Sequence, residues 1–229
     1  MIGILSNSGF FMNAIYYINS LLAVFFWSYL VGSIPNGYLI GKFNGLDIRE
    51  HGSHNIGATN VRRILGRDWS ILCFVLDFLK GWLPVLYIGH HLAANWACGA
   101  AIGGLIAAIA AVCGHIFPIW LKFKGGKGVA TSLGVVCGLA FIPLIAGVVA
   151  WLVVFYSCKH IVSVASMAAV TVMAIVALAM YFAGCPSMPF FTALLIVILA
   201  GLVIIRHKDN IIRLIHGNEN SFVKVNKKK

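Results

Sequence analysis

VATSLGVVCGLAFIPLIAGVVAWLVVFYS, residues 129–157, is an uncharged apolar run with Pro143 near its middle. Whether it crosses a bilayer once or turns back decides the topology of the whole chain. Around it lie five more apolar segments, near 13–41, 70–90, 94–116, 161–183 and 188–205. A helical span needs about 20 apolar residues. The chain therefore reads as an all-α integral membrane protein, with one domain over residues 1–229. Of its 229 residues, 61% are hydrophobic and only 10% charged, against about 25% charged in soluble domains.

The basic residues occupy the linkers. Residues 1–41 contain no Lys or Arg, residues 42–69 hold Lys42, Arg49, Arg62, Arg63 and Arg67, and a basic C-terminal tail begins at about 206. Lys and Arg collect on the cytoplasmic side of membranes. With the uncharged N-terminus outside, linker 42–69 is inside, His90–Asn95 outside and 117–128 inside. A single crossing by 129–157 would then leave the basic tail outside, against the charge bias. A helix break at Pro143 removes the conflict. Two short helices, about 129–141 and 143–157, enter from the cytoplasm and return to it, so Cys158–His160 is cytoplasmic. The expectation is about seven transmembrane helices, two of them short, with the N-terminus outside and the C-terminus cytoplasmic. The apolar start, without a basic leader, argues against a cleaved signal peptide.

The net charge of +11 raises a nucleic-acid reading, but its confinement to linkers follows the membrane charge rule instead. No nucleic-acid partner is expected. The six cysteines form no C-x-x-C pair and read as small buried hydrophobes. The eight histidines are scattered along the chain. No metal, no cofactor and no obligate protein partner is expected.

Three polar islands interrupt the apolar pattern. The second ends in Gly125-Gly126-Lys127-Gly128, just before a helix. Glycines let backbone N–H groups approach an anion, a helix N-terminus adds unpaired donors, and Lys127 adds charge. It is no nucleotide-binding Walker loop, because Leu121 and Gly128 stand where that motif needs Gly and Ser or Thr. The alternative is a basic turn obeying the charge rule. The first island, Asp47–Arg67, is dense in hydroxyl and amide side chains, with Arg49 and Arg63 near its ends. It suits a phosphate or a polyol, or any surface loop. Ser33, before Pro35, either faces a site or satisfies a kink. In the third island His207, Asn210 and Arg213 recur every three residues and share a helical face, with Gly217 ending the helix. That face suits proton transfer and phosphate binding, or a basic helix lying on anionic lipid. Asp77 and Lys80, at i and i+3 inside a span, form either a packing lock or part of a site.

Three stretches together resemble the signature motifs of a known family. They are Ser33-x-Pro35 with Gly52-Ser53-x-Asn55-x-Gly57-Ala58-Thr59-Asn60, then Gly114-His115 through Thr131, then Arg206-His207-x-x-Asn210-Ile211-x-Arg213-Leu214-x-x-Gly217-x-Glu219. The family is the bacterial acyl-phosphate-dependent glycerol-3-phosphate acyltransferases, and the resemblance covers nearly the whole chain. Two positions depart from its pattern. His54 stands where Gly is usual and Ile56 where Pro is common, which puts the backbone geometry of the first loop at issue.

The resemblance implies a seven-helix membrane domain in the bacterial inner membrane, with its active site at the cytoplasmic face. It implies transfer of a fatty acyl group from acyl phosphate to the 1-hydroxyl of glycerol 3-phosphate, with membrane lipid as the setting. The products would be 1-acyl-glycerol 3-phosphate (lysophosphatidic acid) and phosphate. The expected catalytic residues are His207, Asn210, Lys127 and Ser163. The expected substrate-binding residues are Ser33, Arg49, Ser53, Asn55, Thr59, Asn60, Gly125, Gly126, Gly128, Thr131, Arg213 and Glu219. His207 or the leaving phosphate would take the hydroxyl proton, and Ser163 is either a site residue or a helix-start serine. The competing reading is an anion transporter or lipid flippase with basic cytoplasmic loops. Against it, the chain lacks a clear repeat of broken helices.

Overall fold

The computed structural model describes residues 7–95 and 97–219. The start of the chain, expected outside the membrane, and four lysines at the end of the basic tail lie outside the described residues. The helices are α1 (Asn7–Gly32), α2 (Asn36–Phe43), α3 (Ala58–Leu65), α4 (Arg67–Leu83), α5 (Gly99–Ile116), α6 (Val129–Leu139), α7 (Phe141–Ser157), α8 (Val162–Phe182), α9 (Phe190–Arg206) and α10 (Lys208–Ile215). Beyond Pro84 the α4 helix continues as π-helical turns to Leu92, one way of absorbing a proline within a span. Among the described residues, four helical stretches are long and apolar enough to cross a membrane: Phe11–Phe43, Arg67–Asn95, Gly99–Leu121 and Val162–Phe182. Counting α9 and α10, which meet at 54°, as one bent span makes five, and α6 and α7 are shorter apolar helices.

The break in the decisive stretch lies ahead of its proline. Ala140 is extended (φ −155°, ψ 94°) and Pro143 sits in the first turn of α7, not at the break where it was expected. A helical proline ring clashes with the carbonyl four residues back, here that of Leu139. The chain therefore opens between Leu139 and Phe141, and Pro143 occupies a first-turn position where a missing N–H leaves no bond unmade.

Large apolar side chains cover the outside. Phe26, Trp27, Phe141, Phe182 and Phe191 are each at least half exposed, as expected where the solvent is hydrocarbon. Inside, α5 is the central element, and its buried face is built from Gly103, Gly104, Ala107, Ala108, Ala111 and Gly114. Small residues let membrane helices approach closely, since dispersion and not water drives their association. A methyl group on Gly114 would overlap the Tyr29 carbonyl of α1, and one on Gly32 would overlap the backbone of Ala111. Between α4 and α6, Gly81 leaves room for the Thr131 carbonyl and Gly134 for that of Phe78. These crossings bring the starts of α4 and α6 together beside the end of α5. Gly114→Ala is expected to cost about 1–3 kcal/mol by overpacking, read as a lower unfolding midpoint in detergent.

Candidate functional site

The polar islands meet around one cavity of about 420 Å³. From the first island come Ser53, Asn55, Thr59 and Asn60; from the second, Lys127 and Gly128; from the third, His207, Asn210 and Glu219, with Ser163 from α8. The far wall is apolar, with Ile71 and Phe74 from α4, Leu133 from α6, and Val148, Trp151 and Leu152 from α7. Ile71, Phe74 and Leu152 are 50%, 42% and 45% exposed. The chamber thus joins a polar end to an apolar wall that is not closed over by other side chains.

The second island folds back on α5. The amides of Gly125 and Gly126 donate to the carbonyls of Ile116 (3.0 Å) and His115 (3.2 Å). They are therefore not free for an anion, and neither glycine lines the cavity. Glycine is required there for space: a Cβ on Gly126 would overlap the His115 ring, and one on Gly125 the His115 carbonyl. What faces the chamber is Lys127, Gly128 and the first turn of α6. The Lys127 ammonium donates to Asn210 Oδ1. Burial pushes it down to about 8, opposed by the Glu219 carboxylate and assisted by Arg213 and Arg63.

The third island is bent. His207 caps the end of α9 and Asn210 lies on α10, so the even spacing does not run along one helix. The bend turns the buried His207 inward, with Nδ1 2.7 Å from the Val203 carbonyl. That carbonyl can only accept, so Nδ1 carries the proton and Nε2 is left as the ring's basic atom. After α10, the amides of Gly217 and Asn218 donate back to Leu214 (3.1 Å) and Arg213 (2.8 Å), with Gly217 left-handed, a Schellman turn. It returns Glu219 to the cluster. The carboxylate accepts from Asn210 (2.7 Å), Ser163 (3.1 Å) and Arg213 (2.8 Å). Burial opposes its charge, but these donors hold its pKa below the usual carboxylate range.

In the first island Asn60 organises the loop. Its Oδ1 accepts from the Ser53 amide (2.8 Å), while its Nδ2 lies within 3.0 Å of the carbonyls of Ile48, His51 and Asn55. Its hydrogen-bonding capacity is thus taken up by backbone, although it borders the cavity. Asn55 closes an Asx turn to the Gly57 amide (2.9 Å). Ser53 and Thr59 are only partly buried and face the chamber.

Several expected ligands lie elsewhere. Arg49 clasps Asp47 with two bonds (2.9 and 2.7 Å) and stacks over Tyr38, outside the cavity. That guanidinium holds the Asp47 carboxyl well below its ordinary value. Ser33 and Thr131 are wholly buried, their hydroxyls without a partner among the described residues. Arg213 reaches the site only through Glu219.

Other residues that were not among the expected site residues also line the chamber. Arg62 and Arg63 do so, and their signal was present, since Arg63 follows Thr59 by one turn of α3. Asp77 and His115 also border it. Asp77 accepts from Asn36 (3.0 Å), pairs with Lys80 (2.8 Å) and lies 3.8 Å from His115, while Lys80 donates to the Ile34 carbonyl (2.6 Å). The pair therefore ties α4 to the Ile34–Asn36 turn, the packing role the sequence allowed, while Asp77 also borders the cavity and Lys80 does not. Among the described residues, no three His, Cys, Asp or Glu side chains gather as a metal site.

His54, the departure from the family pattern, adopts φ 56°, a region where a side chain costs about 1–2 kcal/mol. Its exposed ring lies 2.9 Å from the Arg49 carbonyl, partly offsetting that cost. His54→Gly is expected to keep full activity and to leave stability unchanged or raised by up to about 1 kcal/mol, checked by thermal unfolding and turnover.

A chamber lined by cations and apolar side chains at the end of apolar helices marks an integral membrane protein whose site suits a ligand with an anionic head and an apolar tail. The family model described as glycerol-3-phosphate acyltransferase matches residues 22–217, and the chain belongs to that family. Glycerol-3-phosphate acyltransferase of Trichlorobacter lovleyi is 43% identical over 208 residues, covering 88% of this chain and 99% of the relative. That of Aquifex aeolicus is 38% identical over 197 residues, covering 86% and 96%. The crystal structure of PlsY (YgiH), an integral membrane glycerol 3-phosphate acyltransferase in its glycerol 3-phosphate form, matches with TM-score 0.78 and 36% identity over 90% of this chain and 97% of that one. Its lysophosphatidic acid form matches with TM-score 0.75 and 37% identity over 88% and 95%. The protein is thus a membrane acyltransferase of phospholipid synthesis, which displaces the transporter reading.

Proposed function

We propose that the chain transfers a fatty acyl group from acyl phosphate to the 1-hydroxyl of glycerol 3-phosphate, releasing lysophosphatidic acid and phosphate. The observation that carries this reading is the convergence of Lys127, His207, Asn210, Ser163 and Glu219 on a chamber that also has an apolar wall. Ser53, Asn55 and Thr59, with Arg62 and Arg63, hold the glycerol phosphate. Lys127 and Gly128 hold a phosphate at the start of α6. The acyl chain lies along Ile71, Phe74 and Leu152.

The acceptor hydroxyl oxygen attacks the acyl carbonyl carbon, and the carbon–oxygen bond to phosphate breaks. His207 Nε2 takes the hydroxyl proton, or the departing phosphate does. Asn210 and Glu219 orient the ammonium and Ser163, while Arg213 orients Glu219. An acyl phosphate is already an activated anhydride, so positioning and charge stabilisation suffice without a covalent enzyme intermediate. Asn60, Arg49, Ser33, Thr131, Gly125 and Gly126 act from behind, shaping the loops that carry the ligands.

The test is synthesis of labelled lysophosphatidic acid from labelled glycerol 3-phosphate and acyl phosphate by purified protein in detergent. Lys127→Ala is expected to lower kcat/KM by roughly 100–1000-fold; full activity would remove Lys127 from the account. Only protonated Lys127 attracts the phosphate, and its pKa is about 8. Accordingly kcat/KM for glycerol 3-phosphate should fall as pH rises through that value, and Lys127→Arg should move the fall to higher pH.

For topology, we read seven crossing helices, with the N-terminus outside and the site at the cytoplasmic face of the bacterial inner membrane. The 3.1 Å contact of Ser163 with Glu219 supports this, since the α7–α8 turn then shares a face with the tail. A cysteine at position 159, in a background lacking the native cysteines, should react with an impermeant reagent from the cytoplasmic side. Reaction only from outside would overturn the arrangement.

A further inference from the structure

Arg206, the last residue of α9, does not line the chamber. Its guanidinium nevertheless reaches the loop that carries Lys127, donating to the carbonyls of Gly126 (3.2 Å) and Gly125 (3.4 Å). On the loop's other side the amides of the same glycines bond to the end of α5, and the His115 ring fills the space beside Gly126. The loop is thereby held between α5 and α9. A second hold comes from across the α9–α10 bend, where Asn210 of α10 accepts from the Lys127 ammonium. His207 lies between these two holds and projects into the chamber. The placement of Lys127 relative to His207 therefore depends on a backbone grip from α9 and a side-chain grip from α10, on either side of the bend at His207.

A basic residue needed only for the membrane charge bias would face water or lipid headgroups. Arg206 is instead partly buried, and its guanidinium grips two backbone carbonyls. A planar guanidinium can bridge neighbouring carbonyls in a fixed direction, which an ammonium does poorly. We propose that Arg206 is a positioning residue for acyl transfer, clamping the Gly125–Gly126 backbone so that Lys127 is aimed at the substrate phosphate beside His207. This rests on Lys127 being a phosphate ligand.

The experiment compares full-length Arg206→Met, Arg206→Lys, Lys127→Ala and the Arg206→Met/Lys127→Ala double variant, with steady-state kinetics across pH. Misplacement by about 1 Å costs roughly 100-fold, and that loss of kcat/KM is expected for Arg206→Met, with a shifted alkaline limb. Arg206→Lys should recover part of it. The double variant should lie within about threefold of Lys127→Ala alone, because coupled residues are not additive. A kcat/KM for Arg206→Met within about threefold of wild type, or losses that simply multiply in the double variant, would overturn the clamp. Full activity in Lys127→Ala overturns the phosphate reading and the clamp together. A defective Lys127→Ala beside an intact Arg206→Met overturns the clamp alone. Should Arg206→Met not fold, Arg206→Gln takes its place with the same outcomes.

Discussion

Two backbone hydrogen bonds, from Gly125 and Gly126 to the last turn of α5, constrain much of what surrounds them. Helix ends leave carbonyls without partners, and at the edge of a membrane there is little water to supply them. Folding the next loop back satisfies two of these groups at once. The close approach admits no side chain at either glycine, because His115 and its carbonyl already occupy the space. The fold-back also decides where Lys127 emerges and where α6 begins. Arg206 then reaches the loop from the opposite side.

The site holds three cations and two engaged acids. Lys127, Arg62 and Arg63 border the chamber, as do Glu219 and the Lys80-paired Asp77. Glu219 accepts hydrogen bonds from Asn210, Ser163 and Arg213, so its charge is largely matched by its neighbours. In the proposed reaction the positive charge on this side meets the substrate phosphate, and burial makes that attraction stronger than at an open surface. The lowered pKa of Lys127 is the cost of that burial. A bound dianion would reverse it by favouring the ammonium.

The acyl side follows from a different constraint. α4 and α7 both wall the chamber, and their residues Ile71, Phe74 and Leu152 remain partly exposed. In the proposed reaction this apolar wall receives the acyl tail. The short helices contribute here: at 1.5 Å per residue, α6 is roughly 16 Å long, too short to screen this wall over the full depth of a bilayer.

Much of this was legible in the chain itself. Hydropathy and the placement of Lys and Arg determined a helical membrane protein, because both respond to the bilayer and not to neighbouring helices. Parity demanded a break in residues 129–157, and the motif residues marked the site. Tertiary structure alone decided what each residue does there. The break moved to Ala140 because the proline ring excludes the carbonyl four residues behind it. Gly125 and Gly126 serve packing against α5, and Asn60 saturates its own loop, although by type either could have met a phosphate. Arg49 turned to Asp47 two residues away, while Arg206, which opens the third motif without a role assigned to it, gripped a loop about 80 residues distant. Composition and spacing report which chemistry is available; which partner each group finds depends on contacts between distant segments, and those exist only once the helices have packed.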